Sequence, residues 1–358
     1  MERRDPKANN LLHGSWPATD LEIVGQCPVC KKNERSLLYE GLSDTALYAA
    51  PGLWTLYRCS NCRSAFLDPR PTEATISRAY VDYHTHGEVN SRATGWSKCI
   101  KQSVKRGYMN SRYCTGVSPF FKVWNWVVIL SAQQRKMDEL FRHLPVDNNH
   151  GKLADIGCGN GDFLYWAAQI GWRVVGIDND PLAVEAALRT GATVQIGGFP
   201  RTGLASAEFD IVTLNHVIEH VHDPLGALME SLRVLRPGGR VWIATPNLNS
   251  LGHSRFRSSW RGLEPPRHLV IFTPESLKNA LERVGFESVQ QKAAAPNTLW
   301  FYDVSYRASV GTNHSGFYFH IKRGFVVFIS SVAWLREMLS PHRNEVLIVM
   351  ATKPVTSQ

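Results

Sequence analysis

The apolar and polar positions between residues 152 and 245 predict alternating strands and helices. Short apolar runs, each followed by glycine or polar residues, lie near 152–156, 173–178, 192–196, 208–214 and 239–245. Helices are expected between these five strands, as in DFLYWAAQI, where apolar residues recur at helical spacing. Two further strands are expected near 286–294 and 344–353. Strands that alternate with helices favour an α/β fold with a doubly wound, seven-stranded sheet.

Two other apolar stretches, FFKVWNWVVIL at 120–130 and GFVVFISSVAWL at 324–335, lie outside this pattern. Both are shorter than the roughly 20 residues that a helix needs to cross a bilayer. We expect them to form buried helices, and peripheral contact with a membrane surface is the alternative.

Four cysteines form two pairs early in the chain. Cys27 and Cys30 lie in CPVC, Cys59 and Cys62 lie in CSNC, and 28 residues separate the two C-x2-C knuckles. Four thiolates in this pattern can close the tetrahedral shell of a structural zinc ion. A redox pair needs only one knuckle, and disulfides are disfavoured without an export signal. The spacing therefore predicts a zinc ribbon, which ends at the prolines of FLDPRPT.

The segment KLADIGCGNGDFLYW, which begins at Lys152, joins a strand to a helix through a glycine-rich turn. Glycines let the backbone approach a ligand closely, and the start of the next helix presents free N–H groups to it. Asp178 ends the second strand about 20 residues later, where its carboxylate can accept both hydroxyls of a ribose. Asp155, two residues before the first glycine, would repel the pyrophosphate of NAD but suits a cationic ligand such as S-adenosylmethionine.

Four motifs, in order, resemble the class I S-adenosylmethionine-dependent methyltransferases from about Lys152 to Val289. They are LADIGCGNG, VVGIDND, FDIVTLNHVIEHVHDP and LRVLRPGGRVWIATPN. The resemblance implies a Rossmann-like sheet whose last strand, in RNEVLIVMATKP, runs antiparallel between its neighbours. It also implies S-adenosyl-L-methionine as the cofactor and methyl transfer as the reaction.

The resemblance assigns roles to residues at the carboxyl ends of the strands, where parallel sheets bind their ligands. These are Asp155, Gly157 and Gly159 for the methionine end of the cofactor, Gly161 for the start of the helix, Asp178 for the ribose, Asn179 and Phe199 for the adenine, and Asn215 for the region of the methyl group.

The segment NHVIEHVHDP at 215–224 carries three histidines and two acids. HVIEH fits the H-x-x-E-H pattern of inverted zinc peptidases, but that site needs a longer helix than Pro224 allows. If the segment forms a helix, His216, Glu219 and His220 share one face. Glu219 would then orient His220 as the base that removes the substrate proton, or both would only shape the pocket wall.

A second candidate base is His268, in WRGLEPPRHLVIFTPESL at 260–277. In the methyltransferases that the chain resembles, a histidine of a P-x-H motif at this place faces the substrate. Arg267 and Trp260 could grip an anionic or ring-shaped substrate, or serve an ion pair and packing instead. Thr273 is expected to cap a helix that begins at Pro274.

The paired knuckles, the proline-rich exit and the basic stretch before the core together resemble a bacterial group of zinc-ribbon methyltransferases. Sugar C-methyltransferases share the zinc module, but this chain is too short for their further C-terminal domain. We predict a zinc ribbon at 1–75, a basic helical lid or linker at 76–145, the cofactor-binding core at 146–295 and an extension with the closing strand at 296–358.

The charge of the chain does not identify its binding partner. The chain carries a net charge of +9, and residues 76–142 hold eleven Lys and Arg against four acids. Such a segment suits nucleic acid, anionic lipid or a phosphorylated small substrate, or is an ordinary solvated face. Without an apolar run after MERRDPKANN, a cytoplasmic location is expected.

The favoured function is methyl transfer to a small or glycan-type acceptor, at oxygen. A macromolecular substrate, RNA or protein, docked by the ribbon and the basic segment is the alternative, and nucleic acid is less favoured. The remaining alternatives are a sugar C-methyltransferase and a non-enzymatic zinc-ribbon interaction protein. The oligomeric state is not predicted.

Overall fold

The computed structural model describes residues 15–45, 49–80, 95–113, 115, 132–146, 151–295, 297–310, 326, 329–337 and 339–355. The apolar stretch at 120–130 lies outside these ranges, as does part of the stretch at 324–335. None of the described helices is long and apolar enough to cross a bilayer.

The helices are α1 (Gly95–Tyr113), α2 (Ala132–Leu140), α3 (Asp162–Gln169), α4 (Pro181–Leu188), α5 (Pro224–Val234), α6 (Leu251–Phe256), α7 (Pro274–Val284) and α8 (Thr298–Val310). The strands are β1 (Leu21–Glu22), β2 (Arg35–Leu42), β3 (Trp54–Cys59), β4 (Ala65–Leu67), β5 (Arg70–Pro71), β6 (Lys152–Ile156), β7 (Arg173–Asp178), β8 (Thr193–Ile196), β9 (Phe209–Asn215), β10 (Leu235–Pro246), β11 (Val270–Ile271), β12 (Glu287–Lys292) and β13 (Val346–Thr352). Residues 329–337 are also helical.

A seven-stranded sheet in the order β12-β13-β10-β9-β6-β7-β8 forms the centre of the fold. The strands from β10 to β8 run parallel, and β13 runs antiparallel to both β10 and β12. This confirms the predicted α/β sheet and its antiparallel closing strand. The order reverses at β6, so the carboxyl ends of β6, β7 and β9 form one edge where a ligand can enter.

The prediction of a helix between the third and fourth core strands is wrong. Residues 197–208 form turns and irregular structure between β8 and β9. The segment contains three glycines and Pro200, which oppose a helix because glycine is conformationally free and proline lacks a backbone donor.

The N-terminal strands form a second sheet with the core. Its order is β11-β4-β3-β2, and Val270 and Ile271 of β11 pair antiparallel with Phe66 and Ala65. The Leu67 amide also donates to the Leu269 carbonyl at 3.0 Å. The cysteine-bearing strands therefore share one sheet and one continuous hydrophobic core with the cofactor-binding region.

Helices α1 and α2 pack on the central sheet through their apolar faces. Buried Met109, Met137 and Phe141 contact a cluster that includes Leu153 of β6 and Trp166 of α3. This packing places α1 and α2 against the outside of the first βα unit.

Candidate active site at the carboxyl edge of the sheet

The glycine loop between β6 and α3 lies at the centre of this edge. Gly157, Gly159 and Gly161 all have positive φ angles, of 73°, 54° and 80°. A Cβ atom on Gly157 would meet Val217 Cγ2 at 2.5 Å, whereas one on Gly159 would meet nothing within 4 Å. The loop therefore packs against the segment that follows β9 and has open space beside Gly159.

Asp178 fixes the shape of this loop. Its Oδ2 accepts a hydrogen bond from the Gly159 amide at 2.8 Å, and its Oδ1 accepts one from the Asp180 amide at 3.0 Å. The half-buried carboxylate thus joins the end of β7 to the glycine loop, at the position expected for a ribose-binding acid.

Asp155 is fully buried and has a cationic partner that the sequence analysis missed. Its Oδ1 accepts hydrogen bonds from the Arg142 guanidinium and from Thr213 Oγ1, the latter at 2.9 Å. Burial raises the pKa of Asp155, and the Arg142 charge opposes that rise. Oδ2 has no partner among the described residues, so one buried acceptor is left for a ligand.

Arg142 comes from the chain just after α2, in the segment noted only for its net charge. Its guanidinium also lies 3.7 Å from the centre of the Phe163 ring. A lone arginine in a basic stretch gives no signal of a partner 13 residues away, so the pattern could not reveal this buried pair.

The residues expected at the adenine lie on neighbouring turns. Asn179 is exposed directly after β7, and half-buried Phe199 follows β8 by three residues and packs against the main core. The Gly197 amide donates to the Asp178 carbonyl at 3.0 Å, which holds the two turns together.

The segment after Asn215 is a turn, so the helical arrangement considered for it is wrong. His216 has a φ of 55°, and α5 begins only at Pro224. The left-handed backbone turns the chain sharply at the edge, and the His216 amide donates to the Ala244 carbonyl at 2.9 Å. Such conformations are unfavourable for residues other than glycine, and they concentrate at functional sites.

Glu219 is paired with His216, not with His220 as predicted. Glu219 is fully buried, its Oε1 lies 3.0 Å from His216 Nδ1, and its Oε2 accepts from Thr245 Oγ1 at 2.9 Å. The full burial of Glu219 and the partial burial of His216 disfavour charge on these groups, but the hydrogen bond and mutual attraction outweigh this effect. They raise the pKa of His216 and lower that of Glu219 to about 2. The His216 side chain is 40% exposed at the edge, and its Nε2 has no partner among the described residues.

His220 and His268 lie together and are more buried than His216. Their ring centres are 4.7 Å apart, and His220 Nδ1 lies 3.0 Å from both the Tyr80 hydroxyl and the Arg267 carbonyl. His268 Nδ1 donates to the Gly262 carbonyl at 2.8 Å. Burial lowers the pKa of His268 to about 4, so this ring is neutral at pH 7.

Trp260 and Arg267 do not face a substrate, contrary to the role considered for them. Trp260 is buried and donates from Nε1 to Glu345 Oε2 at 2.7 Å. Arg267 is fully buried and forms ion pairs with Asp44 at 2.6 Å and Glu264 at 2.8 Å. Both side chains stabilise the loop that carries His268. The helix start is as predicted: Thr273 caps α7 at Pro274.

The four N-terminal cysteines converge on one point. The Sγ atoms of Cys27 and Cys62 are 3.5 Å apart, those of Cys30 and Cys59 are 3.4 Å apart, and all four lie within 4.8 Å of one another. A tetrahedral zinc ion with bonds of about 2.3 Å needs sulfurs about 3.8 Å apart, so the donor set and spacing fit zinc. After each knuckle the next residue, Lys31 or Arg63, has a positive φ and donates its amide back to the first cysteine's carbonyl.

The glycine loop fits a nucleoside cofactor with a cationic end. Open space at Gly159, the acid at the end of β7 and the unpartnered Asp155 Oδ2 lie on one edge, with Asn215 at the end of the adjacent strand. Asp155 Oδ2 provides an acceptor for an ammonium group, and the Arg142 charge is already paired with Oδ1 of the same carboxylate.

Comparison with known proteins agrees with this geometry. Residues 130–291 match a family described as a methyltransferase domain. The ubiquinone biosynthesis O-methyltransferase of Cereibacter sphaeroides is 32% identical over 169 residues, covering 44% of this chain and 68% of that protein. A protein of the same name from Pseudomonas fluorescens is 37% identical over 105 residues, covering 27% of this chain and 45% of that protein.

A solved structure of Haemonchus contortus phosphoethanolamine N-methyltransferase 2 with S-adenosylmethionine is also similar. It matches over 84% of this chain and 63% of its own, with 15% identity and a TM-score of 0.45. The family match and the coverage of the Cereibacter protein identify the chain as a member of the S-adenosylmethionine-dependent methyltransferases.

Proposed function

We propose that the protein transfers a methyl group from S-adenosylmethionine to a hydroxyl oxygen of a small molecule. The names of the O-methyltransferase relatives support the acceptor atom and the small substrate. The observation that carries the proposal is the pair formed by exposed His216 and buried Glu219 at the carboxyl end of β9.

The pair has the arrangement of a positioned base. The Glu219 carboxylate accepts from Nδ1–H, which places the lone pair of the neutral ring on Nε2. When bound, S-adenosylmethionine supplies an electrophilic methyl group on a sulfonium. The methyl would pass to the acceptor oxygen with S-adenosylhomocysteine as the leaving group. Nε2 of His216 would take the proton of the acceptor hydroxyl, and Glu219 would stabilise the resulting imidazolium.

His220 and His268 stay as predicted alternative bases. His268 is buried and neutral and donates from Nδ1; its Nε2 lies 3.7 Å from Glu264 Oε2, and its ring lies against that of His220. Because His216 is more exposed and directly backed by a carboxylate, we assign the proton transfer to His216 and a supporting position to the other two.

The first test follows S-adenosylhomocysteine release with a panel of small phenols and sugars. With the best substrate, we expect His216→Asn to lower kcat at least 100-fold while calorimetry shows unchanged binding of S-adenosylmethionine. His222→Asn is the matched control, because its ring bonds to the Pro71 carbonyl instead, at 2.9 Å. Equal activity of His216→Asn and the control would assign catalysis to positioning or to the other histidines.

The pH profile tests Glu219 as a positioning residue. A base works when neutral, so activity rises with pH through the raised pKa of His216. In Glu219→Gln the carboxylate that raises this pKa is lost, and the rising limb moves to lower pH while the maximal kcat falls. A reduced kcat with an unmoved limb would show that Glu219 only holds the fold.

We also propose a structural zinc ion bound by Cys27, Cys30, Cys59 and Cys62. Zinc would tie the turn before β2 to the turn after β3, where both knuckles have the same backbone shape. We expect one zinc per chain by elemental analysis, and less than half of that in Cys30→Ser/Cys62→Ser. Ser64 lies next to the thiols, so Ser64→Ala is the control and should keep its metal. Full zinc content in the double cysteine variant would refute this site.

We keep the division of the chain into four parts, at 1–75, 76–145, 146–295 and 296–358, as a proposal. The second part, the basic segment, is proposed to cover the edge of the sheet. Glu139 of α2 accepts from the Ala295 amide at 2.5 Å, and its charge helps to raise the pKa of His216. Helix α2 thus lies close to the proposed base.

A further inference from the structure

A large cavity lies away from the glycine loop, between the N-terminal sheet and the chain that follows β10. It has a volume of about 560 Å³. Volumes of roughly 300–1,000 Å³ are usual for small-molecule sites. We call it the arginine cavity, because Arg58 of β3, Arg257 after α6 and Arg343 before β13 all line it.

Within the described part of the chain, the three guanidinium groups have no carboxylate partner, unlike those of Arg142 and Arg267. None of them forms an ion pair within the described part of the chain, and none of the described lining residues is an acid. Among the residues that the structure describes, Arg58 Nε is buried without a hydrogen-bond partner, and Arg343 donates only to Ser254 Oγ, at 3.2 Å. Three cations that line one cavity and have free donors repel one another, and an anion bound between them would relieve this repulsion.

Tyr39 and His253 form a neutral, fixed part of the lining. His253 Nδ1 lies 2.6 Å from the Leu248 carbonyl, and its Nε2 lies 3.0 Å from the Tyr39 hydroxyl. Burial lowers the pKa of His253, and the nearby Arg58 charge lowers it further, so the ring is neutral and accepts from Tyr39. The Tyr39 and His253 side chains are thus hydrogen-bonded to each other, and the arginines are the permanently charged groups of the lining.

We propose that the arginine cavity binds a phosphate-bearing group. Guanidinium donors match the oxygens of phosphate in pairs, and a group with two negative charges balances more of the three cations than a single carboxylate does. This site goes beyond the methyl transfer and does not depend on it.

The test measures binding by calorimetry with inorganic pyrophosphate and with glycerol 3-phosphate, and by co-sedimentation with phosphatidylcholine vesicles that contain phosphatidic acid. We expect saturable binding that weakens at least tenfold in Arg58→Gln/Arg343→Gln. Arg189→Gln, an exposed arginine of α4, is the control and should bind within twofold of the wild type. Unchanged binding of S-adenosylmethionine and unchanged zinc content show that each variant is folded.

Ser254→Asp gives a second variant that keeps all three arginines. Its carboxylate would lie beside Arg343 and compete with the ligand, so phosphate binding should weaken as in the double variant. Binding of the soluble phosphates supports a metabolite ligand, and binding of the vesicles alone supports a lipid headgroup. Either result carries the proposal only if both cavity variants reduce it; equal binding by wild type and variants, or none by any probe, overturns it.

Discussion

Gly159 and Gly161 share a left-handed backbone but have different surroundings. A Cβ atom on Gly159 would lie in open space, whereas one on Gly161 would lie 2.9 Å from the Cα atom of Ala187 in α4. The first glycine therefore keeps room and backbone shape for a ligand, and the second keeps two helices close together.

We predict that alanine separates these two roles. Gly159→Ala should weaken S-adenosylmethionine binding at least tenfold and lower the free energy of unfolding by only about 1–2 kcal/mol, the cost of a left-handed alanine. Gly161→Ala adds a collision with backbone and should cost about 3 kcal/mol or more. Calorimetry and urea denaturation measure the two effects; a larger stability loss in Gly159→Ala would contradict this assignment.

The sequence predicted which residues gather at the edge, but not how they pair. Residue types and strand order placed His216 and Glu219 near Asn215, because all three follow one strand. Their hydrogen bond depends on the φ of 55° at His216, which neither helical nor strand periodicity specifies. The buried pair of Arg142 with Asp155 depends on how the basic segment packs, so the sequence could not predict it either.

At the scale of elements, prediction succeeded where an element carries its own signal. Most core strands are short apolar runs between turns, with the polar edge strand β12 (Glu287–Lys292) as an exception, and Thr273 and Pro274 mark the start of α7. Strand β11 has only two residues and exists because β4 pairs with it, so no local pattern could reveal it. The same limit applies to the irregular chain at 197–208, where glycines outweighed the alternation of the fold.

The helical residues at 329–337 meet α8 through a buried carboxyl group. Glu337 is buried, Thr298 Oγ1 donates to its Oε2 at 2.5 Å, and Oε1 has no partner among the described residues. Burial raises the pKa of Glu337 to about 8. The folded protein therefore keeps a proton that the unfolded chain releases near its ordinary pKa of 4.5.

We predict that this group makes the protein less stable as the pH rises from about 4.5 to 8. Over that range the folded state binds more protons than the unfolded state, and each pH unit costs up to about 1.4 kcal/mol. Glu337→Gln should flatten the slope and be more stable than the wild type at pH 8. Denaturation at pH 5, 6.5 and 8 measures this, with Glu282→Gln on the surface of α7 as control. Parallel curves would rule it out.

At the scale of the molecule, Arg267 joins three parts of the chain. It pairs with Asp44 in the N-terminal region and with Glu264 in its own loop, and it donates to the Ala79 carbonyl at 3.0 Å. The loop it holds carries His268, and the amide of Leu269 donates to the Glu219 carbonyl at 2.8 Å. The N-terminal sheet and the proposed base are thus connected through one short segment.

We predict that Arg267→Met destabilises the protein by about 3–5 kcal/mol, because the buried carboxylates of Asp44 and Glu264 lose this guanidinium, although Glu264 keeps its pair with Arg261. Arg189→Met removes an exposed pair with Glu185 and should change stability by less than about 1 kcal/mol. Urea denaturation compares the two variants. Similar small losses in both would mean that water or neighbouring groups replace the guanidinium.

The pairing of β4 with β11 also means that two strands of one sheet are synthesised at widely separated times. Ala65–Leu67 are made about 200 residues before Val270 and Ile271. At roughly 5–20 residues per second, the nascent N-terminal sheet waits some 10–40 seconds for its fourth strand. During that interval the edge of β4 is unpaired and the four cysteines have left the ribosome without their finished surroundings. The nascent chain is therefore most susceptible to incorrect strand pairing and to thiol oxidation before its catalytic half has been synthesised.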